Sequence, residues 1–166
     1  MISDFSISAS VLQTKANDLT TTSDPLIKKW AAHLESGTAA GQADRAFHDT
    51  RTLAASASED LDLAAVLVDV FGATQTYVRV KGLFISAAVG NTNNVVVGAG
   101  TNPWVTLLNS TGTVTLRPGA ACAFFAGAAD STGYAVTAAT GDILKVTNSA
   151  GSTSVTYDVV IVGCSA

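Results

Sequence analysis

From residue 51 onward the chain consists of short β-type runs separated by turn residues, and this pattern constrains the fold more than any other feature. The turns include NSTG, RPGA, DSTG and NSAGST, which are rich in residues that tolerate positive φ or fix a bend. Predicted strands lie at residues 51–56, 60–63, 76–88, 94–98, 104–108, 113–117, 121–126, 134–137, 143–148 and 154–163. Since no helical pattern separates them, we expect a mainly β protein whose residues 49–166 form an antiparallel, jelly-roll-like β-sandwich.

Residues 1–48 have a different character, and we expect them to form an N-terminal arm. The arm opens with Phe5, Ile7, Ala9 and Val11, which alternate with serines as in a strand that has one buried face. After a polar stretch, SDPLIKKWAAHLESG predicts a short amphipathic helix over residues 25–35, with a capping aspartate and a proline at its start. The segment ESGTAAGQ that follows is typical of a flexible linker.

The apolar residues of this arm are the predicted interaction site. They would either dock on a neighbouring subunit or fold back on the arm's own sandwich, and the pattern leaves both alternatives open. The candidate interface residues are Phe5, Ile7, Val11, Leu26, Ile27, Trp30 and Leu34. The C-terminal run VTYDVVIVG is low in charge, and as an open edge strand it would also favour pairing with another chain.

The stretch NTNNVVVGAGTNPW, residues 91–104, resembles a strand that enters a phosphate-binding turn. A dinucleotide fingerprint requires a third glycine and then a helix, whereas Pro103 and Trp104 occupy those positions here. The Gly-Lys-Ser/Thr of a P-loop is also absent. The stretch therefore favours a strand that leaves the sheet into a tight connection, and no nucleotide cofactor is predicted.

Residue types that carry chemistry are few and scattered. His33 lies on the predicted helix, and His48 lies between Asp44 and Asp49 without the ligand spacing of a known metal motif. No nucleophile elbow is present, and neither cysteine has a histidine near it in sequence. We therefore predict no catalytic residue, no metal ligands and no cofactor, which makes an enzyme the last of the hypotheses.

The densest acidic cluster is SASEDLDL. A strand would place Asp60 and Asp62 on a solvated face and Leu61 and Leu63 on the buried one. A calcium ion bound near the two aspartates is the functional alternative, although the ligand pattern of a calcium loop is absent.

The cysteines and the aromatic residues both favour structural roles. Cys122 and Cys164 are expected to be free thiols, since a cytoplasmic product with so few cysteines usually keeps them reduced. The aromatic residues could form a platform that stacks on sugar rings, although isolated aromatics on strands more often serve a core or an interface. The residues in question are Trp30, Tyr77, Trp104, Tyr134 and Tyr157.

Charge and hydropathy exclude two classes of partner. The formal net charge is -4 and the nine lysines and arginines are dispersed, so direct nucleic-acid binding is not expected. No apolar run approaches the ~20 residues of a membrane-spanning helix, and the start of the chain lacks a signal-peptide pattern, so no membrane contact is expected. Only 13% of the residues are charged, which leaves a bland surface that packs readily against a neighbour.

Three segments resemble small virion structural proteins of tailed bacteriophages. They are TRTLAASASEDLDLA (50–64), VGNTNNVVVGAG (89–100) and TGDILKVTNSAGSTSVTYDVVIVGCSA (140–166). The resemblance covers residues from about 44 to 166 and leaves the first forty or so unmatched. It implies a β-sandwich that is displayed in many copies on a particle.

Within that family, the resemblance favours a capsid decoration, or cement, protein that bridges major capsid protein subunits on the head surface. It implies a homo-oligomer, with a trimer favoured, that is synthesised in the host cytoplasm and contains no cofactor. A tail, baseplate or fibre component is the structural alternative. A carbohydrate-binding module for receptor contact is the alternative from another class.

Overall fold

The computed structural model describes all 166 residues, and its regular elements are all strands. The fourteen strands are β1 (Ser3–Ala16), β2 (Thr21–Ser36), β3 (Gln42–Ala43), β4 (Arg45–Leu53), β5 (Ser58–Asp62), β6 (Leu67–Val68), β7 (Thr74–Gln75), β8 (Arg79–Ala87), β9 (Val95–Gly98), β10 (Thr113–Leu116), β11 (Ala121–Phe125), β12 (Tyr134–Ala135), β13 (Ile143–Asn148) and β14 (Val155–Cys164). The expectation of a mainly β protein is confirmed.

Two antiparallel sheets form the body of the protein. The four-stranded sheet has the order β10-β9-β13-β5, and the five-stranded sheet has the order β11-β8-β14-β4 with β12 pairing to β8. The long hairpin β1-β2 and the small hairpin β6-β7 lie outside these sheets, and β3 adds a short parallel pairing to β2. Every predicted strand from residue 51 onward overlaps an observed one, except the strand predicted at residues 104–108.

A single hydrophobic core lies between the two sheets. Side chains alternate in and out along each strand, so that the inward set of one sheet faces the inward set of the other. Burying each large aliphatic side chain is worth roughly 1.5–3 kcal/mol, and this burial holds the layers together. The cluster of 21 buried residues includes Leu83, Ile85, Val159 and Ile161 from the five-stranded sheet and Val95, Val97, Leu144 and Val146 from the four-stranded sheet.

A polar contact also joins the sheets at the edge formed by β4 and β5. Arg51 on β4 donates from Nη1 to Glu59 Oε2 on β5 at 2.6 Å, and the Tyr157 hydroxyl donates to Glu59 Oε1 at 2.7 Å. Burial, followed by the hydrogen bond to Glu59, raises the pKa of Tyr157 above its usual value. Glu59 therefore serves the framework, whereas Asp60 is exposed as its strand position predicts.

The predicted helix over residues 25–35 is wrong, because these residues lie within strand β2. Leu26, Trp30 and Leu34 are spaced four residues apart, which matches one face of a helix and also one face of a strand, since four is a multiple of two. The long pairing with the alternating β1 decided between the two periods. Pro25 is compatible with this strand because proline is tolerated on edge strands.

Three other expectations differ from the structure. Residues 104–108 form no strand, because Trp104 is 4% exposed and its indole Nε1 donates to the Ala135 carbonyl at 2.8 Å, which anchors an irregular loop. The C-terminal strand β14 is no open edge, since it pairs with β8 and β4 on its two sides. The expected boundary between residues 48 and 49 falls inside β4. The finer jelly-roll topology stays a prediction.

Buried amides organise the loops at one end of the sandwich. Asn148 Nδ2 donates to the carbonyls of Ala54 at 3.0 Å and Thr153 at 2.7 Å, and its Oδ1 accepts from Asn93 Nδ2 at 3.0 Å. The Asn91 side chain donates from Nδ2 to the Thr156 carbonyl and accepts at Oδ1 from the Thr156 backbone nitrogen, as a paired strand residue would. The asparagines of NTNN therefore connect loops to strands, in agreement with the structural interpretation of that stretch.

We expect Asn148→Ala to destabilise the fold by about 2–4 kcal/mol, because an amide that is 2% exposed would lose several hydrogen bonds at once. Chemical denaturation monitored by tryptophan fluorescence measures this change. Thr92→Ala, exposed in the β8-β9 loop beside Asn93, is the control and should stay within about 0.5 kcal/mol of the parent. A similar small change for both variants would refute the anchoring role of Asn148.

Candidate interaction surface

The hairpin β1-β2 is the most unusual element of the structure. Its fourteen residue pairs run from Ser3↔Leu34 to Ala16↔Thr21, and at about 3.3 Å per residue the ribbon is roughly 45 Å long. β1 pairs with no strand except β2, and β2 pairs with β3 only at Glu35 and Ser36. Every residue from Ser10 to Ala31 is exposed. A two-stranded ribbon that packs against nothing is at best marginally stable in water.

The strand register sorts the predicted interface residues between the two faces of the hairpin. Directly paired residues share a face, and the pairs Phe5↔Ala32, Ile7↔Trp30 and Val11↔Leu26 lie on the same one, together with Leu34. We call this the apolar face. Ile27 pairs with Ser10 and lies on the opposite face. Six of the seven predicted residues are therefore brought together, and Ile27 is not.

The base of the hairpin packs on the outer face of the five-stranded sheet. The Phe5 ring stacks on Phe125 with centroids 6.0 Å apart, and it lies directly over Gly82. A Cβ at Gly82 would collide with the Phe5 ring, so the absence of a side chain lets the ribbon approach the sheet. Leu34, 1% exposed, packs with Ala43 and Val162. The base thus folds onto the chain's own sandwich, as one of the two alternatives expected.

Beyond this base the ribbon leaves its own sheet, and the apolar face becomes accessible. Ile7 is 40% exposed, Val11 46%, Trp30 50% and Leu26 54%. Between the Trp30 and Leu26 positions on this face lies one charged side chain, that of Lys28, which pairs with Ala9. A half-exposed aromatic and aliphatic surface of this kind is typical of an interaction site.

The outer face of the five-stranded sheet is also incompletely covered. Phe5 lies over the row of paired residues that contains Gly82. In the adjacent outward-facing row, the strand register places Ala123, Phe84, Val160 and His48 side by side across four strands. Phe84 is 37% exposed. Cavities of about 300 and 270 Å³ lie between this row and the β1 side of the ribbon. We call this row, together with the next outward-facing row of Ala121, Ser86, Asp158 and Thr50, the open sheet face.

That next row contains Ala121, Ser86, Asp158 and Thr50. Asp158 is exposed, and it accepts hydrogen bonds from the hydroxyls of Thr50 at 2.6 Å and Ser86 at 3.4 Å. It forms no salt bridge. A further cavity of about 450 Å³ is lined by Asp158, Val160 and His48.

His33 connects the two strands at the base of the hairpin, on the side opposite the apolar face. Its Nδ1 lies 2.7 Å from Asp4 Oδ1 and its Nε2 lies 3.1 Å from Glu35 Oε1. Ionised carboxylates only accept hydrogen bonds, so both contacts are satisfied only when both ring nitrogens carry a proton. The hydrogen bonds to Asp4 and then to Glu35 raise the pKa of His33 above 6.5.

A second exposed apolar feature is the turn between β6 and β7. Phe71 is 91% exposed and Val70 66%. Asp69 holds the turn, since its Oδ1 accepts from the backbone nitrogens of Phe71 and Ala73, both at 2.9 Å. The aromatic side chain is thus presented on an ordered turn.

The candidate chemical residues near His48 share one cavity, but no hydrogen bond or salt bridge joins His48 to a carboxylate there. His48, Asp44 and Asp69 line one cavity of about 560 Å³, but Asp44 is bonded to Ser165 and Asp69 to its own turn. Asp49 contacts Arg51 at 3.2 Å. No group of three or more His, Cys, Asp or Glu side chains is placed to hold a metal ion.

The acidic cluster and the cysteines behave as framework groups. Asp62 caps the Ala64 nitrogen at 2.8 Å, while Leu61 and Leu63 are buried as expected. Cys122 and Cys164 are free thiols, which confirms that expectation, and burial raises the pKa of Cys122. Of the aromatics considered for sugar stacking, Tyr77, Trp104 and Tyr157 are buried and cannot present a ring face to a ligand.

Sequence reasoning did not identify the open sheet face or the β6-β7 turn. Phe84 and Val160 lie in runs that are apolar on both sides, so nothing in the run marks them as facing outward. Phe71 follows a short and irregular apolar stretch, VLVDVF, for which no periodic signal exists. The single clue was the glycine at position 82 inside an otherwise bulky strand, which indicates close approach of another segment.

No family model, no curated protein and no solved structure matches this chain. The structure also contains no helix with the length and apolar character needed to cross a membrane.

We expect Gly82→Ala to cost about 1–3 kcal/mol of folding free energy, because the new methyl group and the Phe5 ring would compete for one space. In a Phe5→Ala background the same change should cost almost nothing, and a double-mutant cycle by denaturation measures the difference. Gly90→Ala, where an added Cβ meets nothing within 4 Å, is the control. Equal costs in both backgrounds would contradict the contact.

The pKa of His33 should be above 6.5 in the folded protein, and Asp4→Asn should lower it. Because the folded-state pKa is raised, the stabilisation is complete below the unfolded-state pKa and is lost as the pH rises through the folded-state value. An NMR titration of the imidazole signals measures the shift. Asp24→Asn, which pairs with Gln13 far along the same hairpin, is the matched control and should leave the titration unchanged.

Proposed function

We propose that the chain is a non-enzymatic structural protein of a bacteriophage virion, of the capsid decoration type. In this proposal it stabilises the head by bridging major capsid protein subunits, and it works by contact, with no bond made or broken. The observation that carries the proposal is the hairpin, a ribbon roughly 45 Å long with unpaired edges and a half-exposed apolar face. Such an element acquires a stable environment only when it lies on another molecule.

The division of the chain into body and hairpin supports the same proposal. The three segments that resemble virion proteins lie in the body, at the β4-β5 corner, at the asparagine loop with β9, and in β13-β14. The hairpin lies within the part that the resemblance leaves unmatched. We infer that the body is the shared scaffold and that the hairpin supplies the contacts specific to this particle.

The low charge of the chain suits this mode of action. Apolar and backbone contacts of modest strength hold firmly when many copies engage one shell, because each further contact forms at a high effective concentration. Burial of Trp104 and Tyr157 removes most of the support for the carbohydrate-binding alternative. A tail or fibre location would use the same surfaces and differs in copy number.

Particles that lack the protein, reconstituted with purified chain, test this proposal. Wild-type protein should bind in hundreds of copies and raise the temperature at which the genome is released. The double variant Ile7→Ser/Trp30→Ser should bind at least about tenfold more weakly, since truncating buried interface anchors costs on the order of 2 kcal/mol or more. Ile27→Ser removes an equally apolar side chain, 80% exposed, from the opposite face and should bind normally.

Particles that are equally resistant to heat and osmotic shock with and without the protein would count against a stabilising role. Binding of only a few to dozens of copies would place the protein in the tail. Circular dichroism of both variants checks that the fold is retained, because the three substituted side chains are all at least 40% exposed.

A further inference from the structure

We propose that the open sheet face binds the free part of the hairpin from a second copy of this chain, with Lys28 of one copy paired to Asp158 of the other. The inference concerns association of the purified protein with itself through the hairpin face that the proposed function would place on a capsid subunit, so the hairpin of one copy makes only one of these contacts at a time. Its test uses no capsid.

The open sheet face has the form of an unoccupied binding surface. Phe84 is 37% exposed in the middle of a sheet, between Ala123 and Val160, and cavities of about 300, 270 and 450 Å³ adjoin this row. The chain's own hairpin packs closely on the preceding row, through Phe5 and Leu34, while over the Phe84 row its Ser6 and Ile7 only line the cavities of about 300 and 270 Å³. A surface that is apolar, recessed and bordered by hydroxyl groups fits an apolar ribbon from outside.

Charge complementarity identifies the occupant. Lys28 is the only charged side chain on the apolar face from Phe5 to Val11 and from Leu26 to Leu34, and it forms no salt bridge. Asp158 is the only carboxylate on the open sheet face, and its partners are two hydroxyl groups. Within these ranges each surface therefore presents one charge without a salt bridge, and the two charges have opposite signs. Asp24 and Lys15 lie on the same face of the hairpin but nearer its tip, beyond Leu26 and Val11.

The spacing of apolar and charged positions also matches. On β14, Asp158 lies two residues from Val160, and on β2, Lys28 lies two residues from both Trp30 and Leu26. Two residues span about 6.6 Å on either strand. When a ribbon places an apolar side chain over the Phe84 row, Lys28 therefore reaches the Asp158 row. Because apolar residues flank Lys28 on both sides, the match holds for either direction of the ribbon.

Both complementary surfaces belong to one chain, which favours a second copy over a foreign partner. A self-complementary patch is the requirement for a symmetric interface, in which each contact forms twice. Within one copy the base already uses the adjacent row, and from there the ribbon leaves the sheet with Ile7 and Trp30 still accessible. Two-stranded ribbons twist more strongly than wide sheets, so a ribbon anchored at one end diverges from the sheet beneath it.

Charge reversal in the purified protein tests the pairing. Lys28→Glu and Asp158→Lys should each weaken self-association by about tenfold or more, because each places like charges opposite one another in a contact between copies. The double variant Lys28→Glu/Asp158→Lys should restore the affinity to within about threefold of wild type, since the pair is re-formed with its signs exchanged. Sedimentation equilibrium without any particle present measures the association.

Lys29→Glu is the matched control, because Lys29 pairs with Ser8 on the opposite face of the same hairpin. All three charged positions are exposed, so the fold should survive each change, and thermal melts verify this. The inference is overturned if the wild type is monomeric at its highest soluble concentration, if the single reversals leave association unchanged, or if the double variant fails to restore it. A monomer whose stability depends on the pair would show closure within one copy instead, which also overturns it.

The two proposals fail separately. A monomeric protein that still binds and stabilises particles would remove the second copy as the occupant and leave the capsid proposal standing. An oligomer that passes the charge-reversal test and binds no particle would do the opposite.

Discussion

The contact between the Phe5 ring and the bare backbone of Gly82 determines how the two parts of this molecule are arranged. Any side chain at position 82 would hold the hairpin away from the sheet. The Phe5 ring would then lose both its contact with the Gly82 backbone and its stacking with Phe125. With glycine there, the ribbon is anchored at one end. The accessibility of the apolar face follows from this anchoring, since it directs the remaining length of β1 and β2 away from the sheet with that face uncovered.

The body supplies a rigid base for this anchoring. The strand that carries Gly82 is held by β11 and β12 on one side and by β14 on the other, and β14 is in turn paired with β4. Its inward residues Leu83 and Ile85 are fixed in the shared core. A position on such a strand cannot shift to accommodate a larger side chain without disturbing the core, because close-packed interiors transmit strain. The rigidity of the sandwich therefore makes the direction of the hairpin well defined.

Much of the body could be predicted from the sequence because strands with one buried face alternate, and turns carry Gly, Pro, Asn and Asp for steric reasons. The hairpin was misread in its second strand because the spacing of Leu26, Trp30 and Leu34 fits both periods, and only pairing with β1 across the molecule separates them. Trp104 has the propensity of a strand residue, yet a hydrogen bond to the distant Ala135 carbonyl decided its environment. The open sheet face was beyond prediction for the same reason, since it results from which strands become neighbours and from where the hairpin stops covering them.

The composition of the hairpin favours association through its face over association through its edges. A long unpaired edge normally invites further strands and, in the end, fibres. On the unpaired edge of β2, Pro25 has no N–H to donate to a neighbouring strand, and Lys28 and Lys29 each add a charge. The proline and the lysines both discourage edge pairing. Face packing is different, because it consumes a patch of fixed size and ends when that patch is covered. A ribbon with blocked edges and one apolar face is therefore suited to joining a defined number of neighbours, which is the property that a component of a closed assembly requires.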